Sequence, residues 1–185
     1  VPFSSSVYLA TEAIKSWGTE PQKQHYLPKL ATGELIGTLA INEGLGSPSI
    51  AARVFEGKLT ADKIPVPDGD IADFTVLTAC DEQGCVGLYV VDLADAGVQR
   101  KTLTSMDPSR SQARLVFDNV PAQALGVAGE TQLTELLDRV AVLLAFEQIG
   151  GCQAALDMGI AYTKERYAFG RPIASFQAIK HKFAD

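Results

Sequence analysis

The chain has 185 residues, 46% of them hydrophobic and 21% charged, with a formal net charge of −6. That is enough apolar material for a sizeable core in one or two domains. The acidic balance argues against nucleic acid or an acidic membrane surface as the main partner, although a local cationic site can still receive an anionic substrate.

The first segment reads as helical. Ser4 to Ser6 are placed to cap a helix through VYLATEAIKSW, with Gly18 as its stop. Thr19 caps a second helix, with Pro21 in its first turn, which runs to Gly33. His25 sits beside Lys23 and Gln24 in a polar stretch and reads as a surface residue. From Ile36 to about Val120 the pattern shifts to period two and β-branched residues. IGTLAIN, ARVFEGKLTADKI, DFTVLTAC, CVGLYVVDL, VQRKTL and ARLVFDNV are separated by Gly, Pro and Asp. Short strands in this number predict an antiparallel barrel or sandwich.

After Gly129 the helical pattern returns. Its central stretch VAVLLAF is apolar on every face and is expected to be buried among other helices. Gly150 and Gly151 each cost a helix about 1 kcal/mol against Ala, which close helix-to-helix approach explains. Gly170 and Pro172 are expected to end the helix, and Ser175 to cap the next. The expected order is therefore helices (1–34), a β domain (35–125), then helices (126–185), an α+β chain. No run approaches the roughly 18 consecutive apolar residues of a membrane span, and no signal-peptide pattern is visible in a chain that opens on Val1. Cys80, Cys85 and Cys152 have no metal-type spacing; they read as reduced cytosolic thiols buried as small core residues, with no metal site.

The segment ERYAFGRPIASFQAIKHKFAD, Glu165 to Asp185, resembles the acyl-CoA dehydrogenase family, in which it joins two long helices of the C-terminal bundle. Four further segments agree with that family in order and spacing. They are QKQHYLPKLATGELIG, LAINEGLGSPS, DKIPVPDGDIADFTVLTA and MDPSRSQARLVFDNVPAQALG. The resemblance covers essentially the whole chain, while the family's initial and final helices have no counterpart in it. It implies N-terminal helices, a middle β barrel or sandwich and a C-terminal helical bundle. It also implies an FAD cofactor, an acyl-CoA substrate, an electron-transfer flavoprotein or similar acceptor, a homo- or hetero-oligomer, and a cytoplasmic protein.

LAINEGLGSPS stands where the family has Thr-Glu-Pro-x-x-Gly-Ser-Asp. This places Ile41 and Asn42 at the flavin ring, with Asn42 at the position of a threonine and still offering an amide donor. Ser47 keeps the family serine expected to meet both cofactor and acyl-CoA, and Pro48 replaces the following aspartate. DKIPVPDG stands where the family has Lys-x-Trp-Ile-Thr-Asn-Gly. Pro65, Val66 and Pro67 thus occupy the ring-side positions, with Pro65 in place of a stacking tryptophan and Pro67 in place of a threonine. Proline offers neither a side-chain donor nor a backbone N–H. PVPDG reads equally as a tight turn before a strand. Arg166, Phe169 and Gln177 match positions that meet the FAD diphosphate and adenine, usually of a neighbouring subunit, and their chemistry suits those groups. Arg166 also reads as a cation at a helix C-terminus. Ala168 lacks a hydroxyl that the family has.

The reaction implied is α,β-dehydrogenation of an acyl-CoA thioester, with a glutamate taking the α proton. In most of the family that base lies beyond the position of Asp185. One branch carries it on the long helix, at the position of Val140, which cannot act. Glu147, two turns further on and roughly 10 Å along the axis, is a weak candidate as an acid inside an apolar run. The family's substrate-side arginine position falls on Ala141, so neither Asp138 nor Arg139 takes that role. A non-catalytic or half-active subunit of a hetero-oligomer is a second reading, and a flavin monooxygenase or oxidase of the same fold a more distant one.

Overall fold

The computed structural model describes residues 2–44 and 50–184, apart from the side chain of Glu130. The chain forms two compact units, Val1–Ala141 and Val142–Asp185.

The first unit opens with a π-helical segment, Ser4–Thr11, that passes directly into α1 (Glu12–Trp17). The expected serine cap is not made. Instead Ser5 Oγ donates to Asp68 Oδ2 at 2.5 Å and Ser6 Oγ to the Gly37 carbonyl at 3.2 Å, so these hydroxyls bind the β domain. Thr11 Oγ1 donates to the Ser6 carbonyl at 2.8 Å, five residues back. α2 (Glu20–Thr32) starts as expected, with a full capping box between Thr19 and Gln22 and a proline in its first turn, and it ends at Gly33 with φ 75°. His25 is exposed.

The β domain is mixed rather than purely antiparallel. Its strands are β1 (Gly37–Ala40), β2 (Arg53–Phe55), β3 (Lys58–Pro67), β4 (Phe74–Cys80), β5 (Val86–Asp92), β6 (Val98–Thr102), β7 (Gln112–Pro121) and β8 (Gln123–Ala124). They run in the order β6-β7-β3-β2-β4-β5-β8, with β1 beside β4. β1 pairs with β4 in parallel, which a tight turn cannot achieve; the chain between them passes through β2 and β3 first. The segment expected as one strand, residues 52–64, is a tight hairpin turning at Glu56 and Gly57, both at positive φ.

Alternation sets the burial. In β3, Leu59, Ala61 and Lys63 face inward while Lys58, Thr60 and Asp62 are exposed. β4 is buried at all seven positions, as its FTVLTAC composition requires of a strand covered on both sides. One cover is the N-terminal helical segment. A Cβ on Gly37 would lie 2.5 Å from Ala10 Cβ and 2.7 Å from the Phe74 ring, so only glycine allows helix and strand to approach this closely. The core joins Leu59, Leu77, Val91, Leu115, Phe117 and Val120. Of the thiols only Cys80 is buried. Cys85 lies in the exposed β4–β5 turn and Cys152 on an exposed helical face, so the expectation of three core cysteines is corrected.

α3 (Glu130–Glu165) is one continuous helix. Leu136 and Val140 are buried, but within VAVLLAF Val142 and Phe146 are exposed and Leu143 and Leu144 half-buried, so the expected burial of this stretch is met only at Val140 among the described residues. An added Cβ at Gly150 or Gly151 would meet nothing within 4 Å, so no close helix approach among the described residues accounts for them. By length and composition alone, Thr131–Glu165 is long and apolar enough to cross a membrane, although Glu135, Asp138, Arg139, Glu147 and Asp157 interrupt its apolar residues. α3 ends at Glu165, short of the stop expected at Gly170. A two-residue hairpin follows, β9 (Tyr167–Ala168) and β10 (Arg171–Pro172), then a 3₁₀ turn over Ile173–Ser175 and α4 (Gln177–Ala184).

Candidate functional site

Two of the ring-side segments come together in the first unit. The Ile64 N–H donates to the Asn42 carbonyl at 2.8 Å, and the Gly44 N–H to the Ile64 carbonyl at 3.0 Å. Residues 42–44 therefore lie alongside Ile64 in a parallel bridge. Ile41 is half-buried, and Asn42 is exposed with its amide free of hydrogen bonds among the described residues. Pro65 is exposed, follows a cis peptide bond and shares no register with β7, since the β3–β7 ladder skips from Lys63 to Val66. The Val66 side chain is fully buried in the core, which leaves only its backbone to face a ligand. Pro67 is half-buried, and its carbonyl accepts from Thr38 Oγ1 at 2.5 Å. Ser47 lies outside the described residues.

Beneath this edge is a polar group that sequence reading missed. Lys63 is fully buried, and its Nζ donates to Glu43 Oε1 at 2.6 Å, to Thr78 Oγ1 at 3.2 Å and to the Ile41 carbonyl at 3.3 Å. All three ammonium hydrogens are used. The Glu43 side chain is 8% exposed. Its Oε2 accepts from the Ala51 N–H at 2.6 Å and its Oε1 from the Ala52 N–H at 3.2 Å. Burial pulls the Lys63 ammonium below its ordinary range, against the opposing pull of Glu43. Burial also raises the Glu43 carboxyl, but its bonds to Lys63, Ala51 and Ala52 outweigh this and hold it below the ordinary carboxylate value. The signal was in the sequence: Lys63 shares the inward phase of Leu59 and Ala61.

In the second unit, the Arg166, Phe169 and Gln177 side chains are all exposed. The helix end and the hairpin are joined through backbone, with the Ile173 N–H donating to the Arg166 carbonyl at 2.8 Å. The Arg166 guanidinium makes no hydrogen bond or ion pair among the described residues. Phe169 and Gly170 form the two-residue turn at φ 54° and 77°. The Phe169 ring stands edge-on to Phe176 at 6.2 Å, and the Arg171 guanidinium lies 4.1 Å over the Phe176 ring. Gln177 Nε2 is 3.3 Å from His181 Nε2. Arginines, an exposed phenyl ring and an amide on one exposed hairpin and helix start suit a diphosphate attached to an aromatic base. Glu147 is half-buried rather than enclosed. No group of three or more His, Cys, Asp or Glu able to hold a metal occurs among the described residues.

The family model for the acyl-CoA dehydrogenase N-terminal domain matches residues 1–34, and the model for the acyl-CoA dehydrogenase C-terminal domain matches residues 128–185. The chain is 34% identical over 182 residues to the acyl-CoA dehydrogenase IpdE2 of Mycolicibacterium smegmatis, covering 96% of this chain and 44% of that protein. The structure is similar to butyryl-CoA dehydrogenase from Megasphaera elsdenii, with a TM-score of 0.88 and 26% identity over 100% of this chain and 53% of that one. It is also similar to a chain of the ChsE4-ChsE5 complex from Mycobacterium tuberculosis, with a TM-score of 0.85 and 26% identity, covering 100% and 51%. The chain spans about half the length of the curated relatives it matches.

Proposed function

Because the chain belongs to the acyl-CoA dehydrogenase family, we propose that its full protein carries out FAD-dependent α,β-dehydrogenation of an acyl-CoA thioester. The observation that carries this reading is the meeting of the Asn42 and Ile64–Pro67 segments at one solvent-facing edge. When bound there, FAD would supply the acceptor for the substrate's β hydride. Asn42 offers its free amide to the ring's polar edge, and the exposed face of Pro65 takes the place of a stacking ring. Ser47 is assigned to cofactor and substrate by resemblance. Arg166, Phe169 and Gln177 hold the diphosphate and adenine end of an FAD, and their exposure fits a cofactor belonging to a neighbouring subunit. The α proton goes to a carboxylate outside residues 1–185, not to Glu147.

On this reading residues 1–34, 35–125 and 126–185 belong to the family's N-terminal helical, middle β and C-terminal helical domains. α3 is then a bundle helix of a cytoplasmic oligomer and not a membrane span, and its exposed apolar residues face other helices. An electron-transfer flavoprotein or similar acceptor reoxidises the flavin. The test is FAD content and acyl-CoA oxidation of the purified full-length protein, measured with an artificial electron acceptor. Absence of both defeats the proposal.

A second reading rests on the two prolines. Pro65 and Pro67 remove a ring and a hydroxyl from the flavin side and offer no N–H in exchange. A half-active subunit, completing a partner's site through Arg166 while its own stays weak, accounts for both observations. Flavin stoichiometry separates the two: one FAD per subunit in a homo-oligomer supports the first reading, and one per two unlike subunits the second.

A further inference from the structure

No role in binding cofactor or substrate has been given to the side chains of the buried Lys63–Glu43 pair, yet the pair joins the Ile41–Asn42 stretch to the strand that leads into Pro65. Glu43 lies two residues past Ile41 and is bonded to the Ala51 and Ala52 amides, so its carboxylate ties the Ile41–Asn42 stretch to Ala51 and Ala52. Lys63 lies two residues before Pro65 and bonds the same carboxylate, the Ile41 carbonyl and, through Thr78, strand β4. A carboxylate accepting three hydrogen bonds and an ammonium donating three leave little rotational freedom at either end. A core needing only stability is served as well by apolar residues of similar volume. Retaining two buried charges at this junction is explained by what they align.

We propose that Lys63 and Glu43 act as positioning residues, a clasp that fixes the Asn42 edge, the Ala51–Ala52 backbone and the Pro65–Pro67 edge in mutual register for flavin and acyl-CoA. Neither side chain touches the reacting atoms. The inference rests on the flavin-dependent reading above, but its structural part is tested separately.

The experiment uses the full-length protein and three variants: Glu43→Gln, Lys63→Met and the two combined. Each single variant strands one buried partner and is expected to lose thermal stability. The double variant removes both charges together and is expected to regain most of it. In the double variant, cofactor-free, amide exchange at Ala51 and Ala52 is expected to rise about tenfold or more, because a neutral carboxamide is the weaker acceptor. With flavin, its FAD dissociation constant and its KM for acyl-CoA are expected to rise about tenfold, since small misplacements at a reacting centre are amplified. The flavin absorption band is expected to shift as well. Unchanged exchange at Ala51 and Ala52 overturns the clasp. Faster exchange with FAD affinity, absorption band, KM and kcat all within twofold of the unmodified protein overturns its positioning role. If the unmodified protein takes up no FAD, the flavin reading fails, and the clasp is then decided by exchange together with affinity for a non-reactive acyl-CoA thioether.

Discussion

The Ile64 N–H donates to the Asn42 carbonyl at 2.8 Å, joining residues 22 positions apart at the edge proposed to face the flavin. Because this contact is between backbone groups, substitutions at Pro65 and Pro67 change what the edge presents without undoing the edge itself.

Pro65 is exposed and Pro67 half-buried, so larger side chains at these positions do not displace the core. Pro65→Trp with Pro67→Thr restores a stacking ring and a hydroxyl donor, and FAD is expected to bind more tightly. A stacking ring and one neutral hydrogen bond contribute about 1 kcal/mol each, which amounts to roughly a tenfold gain. Fluorescence titration of the apoprotein measures it, and unchanged affinity would place the flavin ring elsewhere.

Arg166 has no side-chain partner among the described residues. Arg166→Ala should leave the fold unaltered, with the melting temperature within a degree or two. It should weaken flavin binding by about 1.5 to 3 kcal/mol, the range for a charge-assisted contact, or roughly tenfold to a hundredfold. Titrating FAD into an assembly that carries the change in one subunit type at a time shows which subunit's cofactor it serves. Equal affinity in every combination leaves Arg166 as a helix-end cation only.

Glu147 is half-buried, not sealed in the apolar run as its neighbours in the sequence imply. Glu147→Gln is expected to alter stability by less than about 1 kcal/mol and to leave dehydrogenation within a factor of a few. A thousandfold or greater loss of kcat with unchanged circular dichroism would identify it as the base after all.

The Glu43 carboxyl titrates below its ordinary value of 4.5 in the folded protein, burial being outweighed by Lys63 and by the Ala51 and Ala52 amides. The unfolded chain therefore binds the more protons in the window between the two values. Stability from this group is complete above the unfolded value and is lost as pH falls through the folded one. Burial lowers the Lys63 ammonium from its ordinary value, against the opposing pull of Glu43. In denaturant titrations between about pH 5 and pH 3 the unmodified protein should lose stability more steeply than Glu43→Gln. Parallel slopes would mean that Glu43 is not held charged.

What was legible in the sequence was what local chemistry decides. Thr19 with Gln22 formed its capping box, Gly33 ended α2, and the alternating segments became strands, because those signals act within a few residues. Less legible was whatever a distant group decides. Ser5 and Ser6 bond Asp68 and Gly37 across the fold and not the helix start they precede. Lys63 reads as a polar interruption until Glu43, 20 residues earlier, is brought beside it. Phe146 reads as buried and Gly150 and Gly151 as a close helix approach, but among the described residues Phe146 is exposed and nothing lies within 4 Å of a Cβ added at either glycine. Asn42 and Pro65 were picked out by family pattern, and only the folded backbone shows that they share an edge.

Phe169 is 96% exposed and sits at φ 54°, a region that bulky side chains rarely occupy and that Asn or Gly enters readily. The hairpin thus carries its ring against local preference, with one edge contact to Phe176 as compensation. Phe169→Asn should stabilise the fold slightly, by up to about 1 kcal/mol, and at the same time weaken FAD binding in the assembly. Directed evolution of this protein for heat resistance alone would then discard the aromatic ring first. If Phe169 serves FAD as proposed, selection at this position has to be run on cofactor retention, or the screen will enrich for well-folded subunits that bind flavin less tightly.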